Sequence, residues 1–259
     1  MSFRRCVVLF LMFAVTGWNL SGRALQTQAT ASEKKTPATV EDTFPVRSVQ
    51  EIEGWKVHVH PILLSRYSGE TSKAMQLLKL QLVEIRKNVP KKAVESLTSV
   101  PLYFSPTYED GKAGAAFHPN RQWLIDNGRD PQMAKAVEFT NILIFEQELV
   151  RMPNFALHEL AHAYHNLFLP KGFNNPEVMK AYDRAKNSGS YDSVERFHGV
   201  GGRRTFERAY GMNNPMEYFA EATEAYFSRN DFFPFDKQQL KVHDPAMFEL
   251  LGQLWQMRQ

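Results

Sequence analysis

The stretch Asn154-Phe155-Ala156-Leu157-His158-Glu159-Leu160-Ala161-His162-Ala163-Tyr164-His165 decides how the rest of the chain is read. It carries H-E-x-x-H within a run of good helix formers. At about 100° per residue, His158 and His162 fall roughly 40° apart on one helix face, one turn from each other. Two imidazoles so placed can hold one zinc ion, and Glu159, to the side, reaches a water on that ion. Pro153 and Asn154 form a helix start, and Pro170 with Gly172 a stop. The plainer reading of the same residues is a core helix with two hydrogen-bonded histidines.

Two helical histidines do not complete a catalytic zinc site, which has three protein ligands and one open position. The metzincin continuation x-x-G-x-x-H is missing, because His165 and Phe168 occupy its glycine and histidine positions. His165 shares the face of His158 but lies two turns away, roughly 10 Å along the axis, so packing is its expected role. The third donor is sought on a second helix, in Asn214-Pro215-Met216-Glu217-Tyr218-Phe219-Ala220-Glu221. Glu217, Glu221 and Glu224 recur at i, i+4 and i+7, on one face. The apolar flanks Tyr218, Phe219 and Ala222 suggest burial. Three buried acids repel one another unless something positive faces them, as a zinc ion and histidine N–H groups would. Glu217 is therefore the expected third ligand. It also stands three residues after Asn214, where a capping-box glutamate belongs.

These two segments resemble the gluzincin metallopeptidases, in particular the catalytic domain of anthrax lethal factor and its relatives, and secreted bacterial proteins that carry both motifs. The matching pieces are His158-Glu159-Leu160-Ala161-His162 and Tyr210-Gly211-Met212-Asn213-Asn214-Pro215-Met216-Glu217-Tyr218-Phe219-Ala220-Glu221. In that family a tyrosine lies seven residues before the ligand glutamate and an F-F-A-E-like run follows. Tyr210 and Tyr218-Phe219-Ala220-Glu221 keep both features. The likeness covers residues 136–228 in layout. Thermolysin-like spacing fits worse, since Tyr182 stands near where its ligand glutamate would be.

The resemblance implies a zincin-like α+β fold, with a small mixed sheet packed on the active-site helix and a second glutamate-bearing helix. It implies zinc on His158, His162 and Glu217, with Glu159 as general base. Tyr210 would donate a hydrogen bond to the oxyanion, and Glu221 would orient a ligand histidine. By analogy with zincins, the strand Ala136–Thr140 would offer an edge to a substrate peptide. The contrasting reading is a binding module that carries zinc or no metal and cuts nothing. Glu159 argues against it, since a retired site has no need of its base. No G-x-S-x-G supports a serine hydrolase.

The flanking chain sets the context. Arg4-Arg5, the apolar run Cys6–Val15 and the small residues Gly22 and Ala24 have the form of a secretory leader over residues 1–24. A retained signal anchor is the alternative. The apolar run falls short of the roughly 20 residues that span a bilayer. Of 31 Lys and Arg, three lie in this leader, and the 28 that remain match 28 Asp and Glu. A near-neutral mature chain gives no reason to expect nucleic acid as a partner. A peptide or protein substrate is the expected one. Cys6 is the only cysteine, so a mature chain would have no disulfide and no thiolate ligand, leaving nitrogen and oxygen donors for zinc.

Residues 25–44, rich in Thr, Ala, Ser, Lys and Glu, read as a disordered spacer. Residues 45–259 then form one domain. Trp55–His60 alternates as a strand, with His58 and His60 given no role. Thr71–Val89 has the spacing of a long helix, closed by Pro90. Val100–Phe104, Ala115–His118 and Ala136–Thr140 are short strands, and Ile142–Val150 leads into the H-E-x-x-H helix. Further helices are expected over Pro176–Lys186, Pro215–Ser228 and Pro245–Gln256, with a glycine-rich loop at Asn187–Gly202 that follows no strand. Strands first and helices afterwards indicate α+β.

Overall fold

The computed structural model describes residues 44–109 and 111–256. The leader, and the spacer up to residue 43, lie outside them. Among the described residues no helix is long and apolar enough to cross a membrane.

The sheet starts from alternation. In β2 (Trp55–Val59), Trp55, Val57 and Val59 are buried while Lys56 is exposed. β1 (Ser48–Ile52) pairs with it antiparallel through a two-residue turn, in which Glu53 and Gly54 both take positive φ. That is the hairpin geometry that matches strand twist. β3 (Leu102–Phe104) pairs with β2 in parallel, and β5 (Val137–Phe139) pairs with β3 in parallel. β4 (Ala115–Phe117) closes the far side antiparallel to β5, giving the order β1-β2-β3-β5-β4.

Val57, Val59, Leu102, Phe104, Val137 and Phe139 belong to the main core. They share one face of the sheet with helices α2 (Ser68–Asn88) and α6 (Phe155–Phe168). The other face carries a small second core of Tyr103, Leu124, Met133 and Ala136, covered by α4 (Arg121–Asp126) and the 3-10 turn Pro131–Met133.

α2 buries Ala74, Met75, Leu78, Leu82 and Ile85, an i, i+1, i+4, i+8, i+11 stripe against α6. α6 is buried nearly all round, as a helix through the middle of a core must be. Its start is a buried joint. Asn154 Oδ1 accepts from Leu157 N at 3.0 Å, and Gln81 Oε1 of α2 accepts from Ala156 N at 2.9 Å. α8 (Pro215–Phe227) lies across α6, with Pro215 in its first turn and Asn214 Oδ1 accepting from Glu217 N at 2.9 Å. α10 (Pro245–Gln256) closes the core from below, where Trp255 stacks on Tyr164 of α6 at 4.0 Å.

The remaining helices are α1 (Pro61–Arg66), α3 (Lys91–Leu97), α5 (Phe145–Arg151), α7 (Pro176–Ser188) and α9 (Lys237–His243). The stretch read as a glycine-rich loop contains a strand. β6 (Val194–Arg196) and β7 (Thr205–Glu207) form an antiparallel hairpin whose tip uses positive φ at Gly199 and Gly201. The architecture is α+β, a five-stranded mixed sheet packed on helices.

Candidate metal centre

α6 and α8 bring three donor atoms together. His158 Nε2 and His162 Nε2, one turn apart, lie 3.2 Å from each other. Glu217 Oε2, from the first turn of α8, lies 3.1 Å from His158 Nε2 and 3.3 Å from His162 Nε2. Four-coordinate zinc holds nitrogen and oxygen at about 2.0–2.1 Å, so the edge of its tetrahedron is about 3.3–3.4 Å. The three separations match that edge to within a few tenths of an ångström. The donor set, two imidazoles and a carboxylate, is one that binds a cation without sulfur. The structure thus has buried His and Glu groups positioned to hold a metal ion.

The ring of His158 and the carboxylates around it act strongly on one another's protonation. Burial disfavours charge on His158, yet Glu224 and Glu217 outweigh it and hold the imidazole well above its ordinary range. Burial likewise opposes charge on Glu217, but bonds to His158 and His162 keep its carboxyl well below the usual carboxylate range. The ring of His158 is fixed from behind, with Nδ1 2.7 Å from Glu224 Oε2. Glu224 is fully buried, and burial outweighs the pull of His158 and leaves its carboxyl up at about 7.

The orienting role assigned to Glu221 does not survive the geometry. The carboxylate on His158 Nδ1 belongs to Glu224, almost one turn further along α8. Glu221 Oε2 instead accepts from Asn230 Nδ2 at 3.0 Å. Burial, with Asp231 and Glu224 adding to it, holds the Glu221 carboxyl well above its ordinary range. A trio of His158, Glu221 and Glu224 also brings donor atoms within 4.8 Å of one another, but there Glu224 is already engaged with Nδ1.

Glu159 stands at the lip of the site, half-buried, with Oε2 accepting from the Phe117 backbone N–H at 2.8 Å. Tyr210, in the 3-10 turn Tyr210–Asn213 that precedes α8, is 47% exposed and stands beside the same groups. Burial raises its hydroxyl pKa, and the charge of Glu217 adds to the effect. Ala115, His158, Glu159 and Tyr210 line two clefts, of about 560 and 330 Å³, on either side of the centre. The larger carries charge, with Arg151 Nη1 bound to Asp231 Oδ2 at 2.6 Å in its wall. The smaller is walled by Ala116, Phe117, Pro119, Phe173 and Met216.

His165 is a packing residue. It is fully buried against Phe173 and Phe219, and neither ring nitrogen has a hydrogen-bond partner among the described residues. Burial, with His162 adding, pushes it down to about 3. The strand edge also differs from expectation. β5 is paired on both sides, with β3 and β4, so Ala136–Thr140 has no free edge. The edge belongs to β4. Gly114 O and His118 N bond towards β5, so by alternation the backbone groups of Ala115 and Phe117 face the centre. The Phe117 N–H was invisible to sequence reasoning because backbone groups carry no motif. Glu224 was visible only as a third acid on the α8 face.

Fold and site together define an α+β protein with a candidate His₂Glu cation centre between two crossed helices. Comparison of the chain with protein-family models, with curated proteins and with solved structures finds no match.

Proposed function

We propose that this protein is a secreted zinc metallopeptidase of gluzincin type on a zincin-like fold. The reading rests above all on the convergence of His158 Nε2, His162 Nε2 and Glu217 Oε2 within 3.1–3.3 Å of one another, beside an intact Glu159. Zinc is the natural occupant of a nitrogen- and carboxylate-only trio with room for a fourth ligand. A bound zinc ion would polarise a scissile carbonyl and lower the pKa of its water to about 7.

The residues of the chain do the rest. Glu224 accepts a hydrogen bond from His158 Nδ1–H, which holds the proton on Nδ1 and leaves the Nε2 lone pair to face the donor cluster. Glu159 accepts a proton from the attacking water and passes it to the leaving amine. The Phe117 N–H keeps one oxygen of that carboxylate in place, so the other is free to act. Tyr210 donates its phenolic hydrogen bond to the developing oxyanion. Ala115, on the free edge of β4, offers its backbone to an extended peptide laid antiparallel or parallel to it. Secretion is supported by the form of residues 1–24.

The test pairs two variants. Metal analysis should find one zinc per chain in the wild type and in Glu159→Gln, and none in Glu217→Ala. A broad peptide mixture read by mass spectrometry should be cut by the wild type alone. Stoichiometric zinc in Glu217→Ala rejects the ligand set; zinc without any cleavage rejects the peptidase.

A further inference from the structure

β4 is three residues long and paired on one side only. Short edge segments of this kind open at low cost. Yet β4 has to hold the Phe117 N–H 2.8 Å from Glu159 Oε2. A second group of buried polar side chains, none of them used by the centre, ties it down from the opposite face of the sheet.

Glu138 of β5 stands opposite Ala116 of β4 and is 3% exposed. Its Oε2 lies 2.9 Å from His118 Nε2, and its Oε1 accepts from Tyr108 Oη at 2.7 Å. His118 follows Phe117 directly and is itself buried. Its backbone donates to Ala136 O at 2.9 Å and accepts from Lys135 N at 2.7 Å. The side-chain bond therefore reinforces the last rung of the β4–β5 ladder. Burial works to raise the Glu138 carboxyl, but hydrogen bonds from His118, Ser105 and Tyr108 outweigh it and hold it below the usual range.

A buried carboxylate is costly, and an apolar pair would fill the same space at less cost. What packing cannot supply is a directional, charge-assisted bond that sets the distance between two strands. We propose that Glu138, together with His118 and Tyr108, is a positioning residue: it locks edge strand β4 in register so that the Phe117 N–H holds Glu159. The peptidase reading is needed only for what Glu159 then does; the lock itself is a property of β4.

The experiment measures amide exchange at Phe117 by NMR and peptide-mixture turnover, both on the zinc-loaded full chain. In Glu138→Ala, loss of a buried bond should speed Phe117 exchange about tenfold or more, with kcat falling about as far. Core amides of α2 and α6 and the zinc content should stay as in the wild type. Glu138→Gln keeps an acceptor for Tyr108 and should recover part of both losses. Wild-type Phe117 exchange in a folded Glu138→Ala protein overturns the proposal. If Glu138→Ala does not fold, Tyr108→Phe removes one bond of the network; faster Phe117 exchange there supports the lock and wild-type exchange sinks it. A wild-type protein that cuts no peptide fails the peptidase reading alone, because Phe117 exchange still reports on the lock.

Discussion

At Glu224, burial and charge pull in opposite directions. Removal from water raises the carboxyl and the imidazole of His158 lowers it, and burial wins, leaving it up at about 7. Oε2 meets that ring at 2.7 Å, while Oε1 has no partner among the described residues. A carboxylate on Nδ1 fixes the tautomer and makes the Nε2 lone pair more basic. Glu224→Gln keeps the acceptor and removes the charge, so zinc affinity should fall about 10–100-fold, measured by competition with a chromogenic chelator. Glu221 Oε2 bonds to Asn230 and not to a ligand histidine, so the affinity of Glu221→Gln should match the wild type. Equal losses in the two variants would return the orienting role to Glu221. His158 also fixes the sign of a pH effect. In the metal-free site Glu224 and Glu217, against burial, hold its imidazole protonated well above the ordinary histidine range. An incoming ion has to displace that proton. Affinity should therefore rise with pH across the neutral range, by about tenfold per unit for one proton. Titration calorimetry in buffers of different ionisation enthalpy counts the protons released; a count of zero would contradict this account.

At the scale of elements, α6 depends on how it begins. Asn154 is fully buried, caps Leu157 N and donates to Gln81 O of α2 at 3.2 Å. Asn154→Ala should cost about 1–2 kcal/mol, read as a lower urea midpoint at unchanged slope. An unchanged midpoint would mean that Gln81 carries the joint alone. Caps of this kind, and alternation or 3.6-residue spacing, are local, which is why α2, α6, α8, α10 and β2 were legible in the sequence to within a few residues. The i, i+4 spacing made His158 and His162 legible as a donor pair, whereas Glu217 stood out only as one of three acids on a second helix and also suited a capping box until the two helices are seen to meet. Properties that arise between elements were not legible. Val194–Arg196 and Thr205–Glu207 are too short to show alternation, and the glycines between them read as loop until the pairing is seen. Whether β4 or β5 forms the edge depends on the crossover that inserts β5 beside β3. Glu221 and Glu224 share a helix face, and only the crossing of α8 over α6 decides which of them meets His158.

For the whole molecule, a cation between α6 and α8 is a cross-link that exists only in the folded state. His158 and His162 come from the core helix, while Glu217 comes from an element that also packs Tyr218, Phe219 and Ala220 into the core. An ion that binds the native state at a thousand times its Kd adds about 4 kcal/mol to stability. In a domain of this size each kcal/mol moves Tm by about 2–4 °C, so stripping zinc with a chelator should lower Tm by roughly 8–16 °C. Glu217→Ala lacks one of the three donors and should melt at the same temperature with and without zinc. Glu159→Gln leaves the donor set intact and should keep the full zinc-dependent shift while cutting nothing. A scanning-calorimetry series over these three proteins, set beside the peptide-cleavage assay, tests whether an ion here stabilises the fold independently of the proposed chemistry. A zinc-dependent shift of equal size in Glu217→Ala would show that α8 contributes no donor, and the bridge between the two helices would have to be given up.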